Sequence, residues 1–168
     1  MVETDVVIRE GHLKDIPLIA DLAEKIWWHT YADIISGEQI RFMLDAIYSE
    51  KVLTDVMETG EQKFLLIYEK DNPQGFASFG LRPEDPLVHK LHKIYVLPQT
   101  QGKGYGRRLI QEVIQLIKEK GMHILDLNVN RHNQAKNFYE KLGFNVIRKE
   151  DIPIGPYWMN DYVMRIEF

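Results

Sequence analysis

The 168-residue sequence predicts a mixed α/β layered fold in one domain spanning residues 1–168, a sheet of about seven strands with helices on both faces. Three observations predict it. Short alternating or β-branched runs are interleaved with apolar stripes of helical period along the whole chain. A glycine-studded turn at 102–106 joins one such run to an amphipathic helix. A second strand–helix pair at 123–144 ends on a glycine stop.

The elements follow in order. Val6-Val7-Ile8 reads as a first strand, and Asp15 as the cap of a helix with Pro17 in its first turn. Ile16, Ile19, Ala20, Ala23, Ile26 and Trp27 form its stripe. Ser36-x-x-Gln39 has the form of a capping box for a second helix, whose face is Ile40, Met43, Leu44, Ile47 and Tyr48. A short helix from Lys51 to Met57 stops near Gly60. Lys63–Glu69 and Gly75–Leu81 read as strands joined by a turn containing Asp71-Asn72-Pro73, and Lys90–Leu97 as the next strand. Ile110, Val113, Ile114 and Ile117 mark the buried face of the helix after the glycine turn. In 124–129, Leu125, Leu127 and Val129 alternate with Ile124, Asp126 and Asn128. Asn133 is the expected N-cap of a short helix whose face is Ala135, Phe138, Tyr139 and Leu142, with Phe138 expected in the core. Two closing strands are expected at about 144–149 and 160–168.

Composition sets bounds. Apolar content of 45% with 27% charged residues is that of a globular protein. No apolar run is long enough to cross a membrane as a helix. The acidic start, Met1 to Asp5, has no apolar core of a secretory leader. Zero cysteines exclude disulfides, thiolate metal sites and a cysteine nucleophile, and fit a cytoplasmic protein. No two-His-plus-carboxylate grouping stands at ligand spacing, so no metal is expected. A net charge of −4 argues against nucleic acid as the partner.

The chemistry is concentrated at 96–106. Glycines 102, 104 and 106 at a helix start let backbone N–H groups converge on an anion. Neither of the two commonest phosphate loops is present: no Lys-Ser/Thr pair follows, and Arg107 stands where the dinucleotide fingerprint needs glycine. The pattern Gln101-x-x-Gly104-x-Gly106 after a strand resembles the pyrophosphate loop of the GNAT superfamily of acetyl-CoA-dependent N-acetyltransferases. Asn133-x4-Phe138-Tyr139-x-x-Leu142-Gly143-Phe144 resembles that family's second signature, at the usual distance behind the loop. The order of elements matches over essentially the whole chain, so the resemblance also implies a mostly antiparallel sheet.

The resemblance implies roles for particular residues. Gln101, Gly102, Lys103, Gly104, Tyr105, Gly106 and Arg107 would hold the pyrophosphate of acetyl-CoA, with Arg108 nearby. Tyr95, Val96 and Leu97 would lie along the pantetheine arm, with the Val96 amide on the thioester carbonyl. Asn133 would touch the same arm and Lys141 the ribose phosphate. Tyr139 matches the family tyrosine beside the sulfur; a phenol, pKa about 10, suits proton donation to a departing thiolate. The base departs from the pattern: Lys90 stands where many relatives carry Glu. His92, two residues on and so expected on the same strand face, is the candidate base, with water as the alternative. His89 and His29 are weaker candidates.

For the acceptor, Trp27-Trp28-His29-Thr30-Tyr31 offers Trp27 and Tyr31 as cation–π walls or as core. With Glu38-Gln39-Ile40-x-x-Met43-Leu44 and the stretch 154–164, it resembles the PaiA-type branch of bacterial polyamine N-acetyltransferases. That implies a polyamine or other small cationic amine, with Glu84, Asp85 and Asp161 as acidic contacts. A protein N-terminus or lysine as acceptor, and a non-catalytic acyl-CoA-binding module, are the competing readings. The resemblance also implies a homodimer.

Overall fold

The computed structural model describes residues 5–168, so the first four residues of the acidic start lie outside the described residues. One seven-stranded sheet runs through the molecule in the order β1 (Val6–Gly11), β2 (Lys63–Glu69), β3 (Asn72–Arg82), β4 (Asp85–Val96), β5 (Ile124–Asn130), β7 (Tyr157–Glu167) and β6 (Asn145–Ile154). Every pairing is antiparallel except β4 with β5. No helix among the described residues is long and apolar enough to cross a membrane.

Helices α1 (Ile16–Tyr31), α2 (Gly37–Tyr48) and α3 (Glu50–Glu58) cover one face, and α4 (Tyr105–Glu119) and α5 (Ala135–Leu142) the other. Each face has its own core. The first joins Ile19, Ile26, Met43 and Leu53 to Phe64, Leu66 and Phe76. The second joins Leu109, Val113 and Ile117 to Ile67, Leu125, Leu127 and Phe144. Alternation along β2 sends Leu66 to one core and Leu65 and Ile67 to the other, as the period of a strand requires.

Local chemistry explains most boundaries and corrects several. Ser36 caps α2, its Oγ accepting from the Gln39 amide at 3.1 Å. Asp15 precedes α1 but does not cap it: its carboxylate turns back to Arg9, 2.9 Å to each nitrogen, and to the His12 amide. Asn133 stands one residue before the N-cap of α5, where its Oδ1 accepts from the Ala135 amide at 2.9 Å, a side-chain turn rather than a helix cap. The closing strands are longer than alternation suggested and meet at a tight turn, where Gly155 has φ +57 and lies against the Phe42 ring.

Two departures from regular pairing shape the site. The register of β3 against β4 shifts between Ser78–Lys93 and Phe79–Leu91, leaving His92 as an extra residue on β4. The side chains change faces there: Leu91 packs with the second core, whereas Tyr95 and Leu97 pack with the first and Ile94 and Val96 with the second. Simple alternation therefore does not run through His92, although Lys90 remains close enough for its charge to act on the imidazole. The second departure is between β4 and β5, which pair only at His89–Leu125, Lys90–Asp126 and Leu91–Leu127 before they separate.

Candidate functional site

The separation of β4 from β5 opens a groove of about 630 Å³. One wall is β4 from Leu91 to Val96, the other is β5 and the start of α5, and the glycine loop and α4 close one end. The end of α1 and the residues after it, His29 to Ile34 except Ala32, line the opposite side.

The free edge of β4 follows from ladder geometry. The Leu97 amide donates to the Gln74 carbonyl at 2.8 Å, so Leu97 faces β3 with its main chain. Antiparallel pairs alternate in this respect, which turns the N–H and C=O of Val96 and Ile94 toward the side where β5 has left. Val96 was expected from the sequence. Ile94 was not, because only the position of the bulge and the Leu97 bond reveal which residues point outward.

The loop end is a concentration of unanswered donors. Gly102 and Gly104 have φ of +86 and +78, which a side chain rarely tolerates, and a Cβ on either would meet nothing within 4 Å. Gly104 is the N-cap of α4 and gives it no side-chain acceptor; the first helical bond is Arg108 N to Gly104 O at 3.0 Å. The amides of Tyr105, Gly106 and Arg107 thus lie ahead of the first α-helical bond, at the positive end of a 15-residue helix. Gln101 and Arg107 line the groove, and Arg107 is exposed. Lys103 instead approaches Glu69 at 3.4 Å, and Tyr105 buries its ring and donates its hydroxyl to the same carboxylate at 2.7 Å. Burial and that carboxylate push the Tyr105 phenol up to about 12. These two side chains brace the loop; the Lys103 amide itself donates to the Thr100 carbonyl at 3.1 Å, so the open main-chain donors begin at the helix start. Lys141 is exposed and lies outside the groove lining.

Tyr139 lies in the groove with its ring against Phe144 and only 7% exposed. Burial raises its pKa well above that of a free phenol, and Tyr31 adds to the effect. Phe138 is not the core residue that periodicity suggested. It is 37% exposed, lines the groove and stands over Gly106, where an added Cβ would lie 3.5 Å from its ring.

Tyr31 and Tyr95 share a hydroxyl–hydroxyl bond of 3.1 Å at the groove wall. Burial lifts Tyr31 to about 12, with Asp161 also raising it. Trp27 is 3% exposed, gives its indole N–H to Tyr48 at 3.3 Å and packs on Tyr31 and Tyr95, so it is core behind the groove. Glu84 sits in the β3–β4 turn paired with Arg82 at 3.1 Å, and Asp85 accepts from the Leu87 amide; neither lines the groove. Asp161 lies on β7 beside Asn128, which does line it.

His92 lines the groove, and its Nε2 is buried without a partner. Burial, then the charges of Lys90, Lys93 and Arg82, lower its pKa to about 3. His89 is buried against Phe79, away from this groove, and is also pushed down by burial, while His29 lines the groove. Lys93 is inside the first core, over the Tyr48 and Phe64 rings, with Nζ 2.7 Å from Gln62 Oε1; burial lowers it to about 7.

Known proteins share this fold. The spermidine N(1)-acetyltransferase of Thermoplasma acidophilum is 29% identical over 146 residues, covering 83% of this chain and 88% of that protein. The ribosomal protein bS18-alanine N-acetyltransferase of Haemophilus influenzae is 45% identical over 65 residues, 38% of this chain and 44% of that one. The crystal structure of PaiA N-acetyltransferase from Thermoplasma acidophilum, in complex with coenzyme A, superposes with a TM-score of 0.82 at 26% identity over 98% of this chain and 99% of that one. The acetyltransferase (GNAT) domain family matches residues 31–156, three quarters of the chain, and the chain belongs to the GNAT acetyltransferases.

Proposed function

We propose that this enzyme transfers the acetyl group of acetyl-CoA to a primary amine, and that the amine is a polyamine or a similar small cation. The observation that carries the first half is the N-terminus of α4, a helix start with no side-chain cap, opening onto the same groove as Tyr139 and the free edge of β4. These features fit the coenzyme: anionic phosphates answer the amides of Tyr105, Gly106 and Arg107, and an amide-bearing arm answers the unpaired main chain of Ile94 and Val96.

Bound there, acetyl-CoA supplies an activated acyl thioester. The protein's part is to hold and polarise. An outward N–H on β4, from Ile94 or Val96, donates to the acyl carbonyl oxygen where negative charge develops. Asn133, already fixed by its bond to the Ala135 amide, offers its amide nitrogen to the arm. Tyr139 Oη stays protonated throughout the working pH range because burial raises its pKa, and it delivers that proton to the leaving sulfur. The same burial disfavours a thiolate, which narrows the gap between donor and acceptor. His92 is assigned no base role: an imidazole whose pKa burial lowers to about 3 is a poor proton acceptor. Deprotonation of the amine falls to solvent in the open groove.

The acceptor half of the proposal rests on the match to the Thermoplasma spermidine enzyme over most of both chains. The β6–β7 hairpin is tied to α2 by Gln39 Nε2 to Trp158 O at 2.9 Å and by Phe42 against Tyr157. The test is thiol release from acetyl-CoA with spermidine, spermine, an aminoglycoside and short peptides. Turnover on polyamines that collapses in Tyr139→Phe supports the proposal. Turnover on peptides alone moves the acceptor to protein, and silence with coenzyme bound makes the chain a non-catalytic binder.

A further inference from the structure

On the sheet face opposite α4 and α5, Leu125, Leu127 and Val129 turn away and leave Asp126, Asn128 and Asn130 of β5 beside Asp161 of β7 and Glu150 of β6. Asp126 is fully answered there, by Arg82 at 3.0 Å and by Arg165 at 2.7 and 3.0 Å. Asn128 and Asp161 are not. The Asn128 amide nitrogen is shared between Asp161 Oδ2 at 3.3 Å and Glu150 Oε1 at 3.4 Å. That leaves Asp161 Oδ1 and Asn128 Oδ1 buried with no donor. Asp161 is 7% exposed, and a buried carboxylate with a vacant oxygen is a costly arrangement unless something fills it.

No cation among the described residues fills it. Arg131 gives Nε to the main-chain oxygen of Asp161 and its Nη2 to Asp151. Arg148 reaches only the far oxygen of Glu150, at 3.4 Å. Lys90 lies close enough to feel both carboxylates but forms no ion pair with either, and burial holds its own pKa down. What is missing is a compact donor with several N–H bonds, and a primary ammonium, with three, is that group. Two protein oxygens are too few to enclose a hard metal ion.

We propose that Asp161 and Asn128 form the seat for a second, non-reacting ammonium of the acceptor. A buried carboxylate favours the charged form of whatever nitrogen it holds, whereas the attacking nitrogen must be neutral. The nitrogen seated here is therefore the companion and not the nucleophile, and the enzyme prefers amines that carry two positive charges. Asn128 lines the groove, so the seat adjoins the reaction space. The inference rests on the polyamine reading but assigns it to named atoms.

The experiment compares spermidine with n-butylamine, by calorimetric binding to the enzyme saturated with coenzyme A and by kcat/KM with saturating acetyl-CoA, for the wild type, Asp161→Asn and Asn128→Leu. Coenzyme A affinity and circular dichroism report whether each variant is folded. The expected result is a fall of about 10- to 100-fold in the preference for spermidine over n-butylamine in Asp161→Asn, with a smaller fall in Asn128→Leu. An unchanged preference in a folded Asp161→Asn, with or without a drop in melting temperature, overturns the seat in favour of a structural water and leaves the polyamine reading intact. A wild type that does not distinguish the two amines overturns both.

Discussion

In the proposed reaction Tyr139 is the proton donor, and its burial sets the sign of its effect. A phenol that remains protonated is a donor at every working pH. Tyr139→Phe is expected to lower kcat by about 10²- to 10⁴-fold while the KM for acetyl-CoA changes little, measured by thiol release. His92 gives the opposite expectation. With a pKa near 3 it does not titrate between pH 5 and 9, so His92→Gln should leave the shape of the pH–rate profile unchanged over that range. Asp15 carries a stability prediction instead. Its bidentate bond with Arg9 lowers its pKa from 3.8 to about 2. A depressed carboxylate stabilises the fold above its unfolded pKa and loses that contribution as pH falls through the folded value. Asp15→Asn should therefore cost about 1–2 kcal/mol near pH 7, and denaturant titrations should show the penalty shrinking between pH 4 and pH 2.

Elements divide into those whose signal is local and those whose signal is not. The stripe of α4 and the alternation of β5 are written at fixed spacings, and they appear within a residue or two of where periodicity puts them. The glycine loop was legible for the same reason, since positive φ leaves few residue types to choose from. The bulge at His92 was not, because it exists only relative to β3, and without it the outward amide of Ile94 is invisible. Phe138 was misplaced because an apolar residue facing a ligand groove obeys the same spacing as one facing a core. The loop supports a sharp test. Gly104→Val places a branched side chain at φ +78 in the open space before α4. The fold should lose roughly 1–2 kcal/mol to backbone strain. The affinity for coenzyme A, measured by calorimetry, should fall much further than that cost explains.

At the scale of the molecule, two half-sheets, β1 to β4 and β5 with β7 and β6, are welded at three residue pairs. Beyond Leu91 and Leu127 each half presents an interior edge of unpaired main chain, the kind of edge that other proteins cover or charge to prevent unwanted strand addition. Coenzyme A bound along β4 would act as a rivet between two plates. Hydrogen exchange should show this directly: the amides of Leu125, Asp126 and Leu127 should exchange more slowly when coenzyme A is present, although none of them is in the loop that grips it. The gap that admits the cosubstrate is then also the seam along which the empty enzyme comes apart, so an intact sheet becomes a reporter of occupancy and the idle enzyme the state most exposed to proteolysis and aggregation.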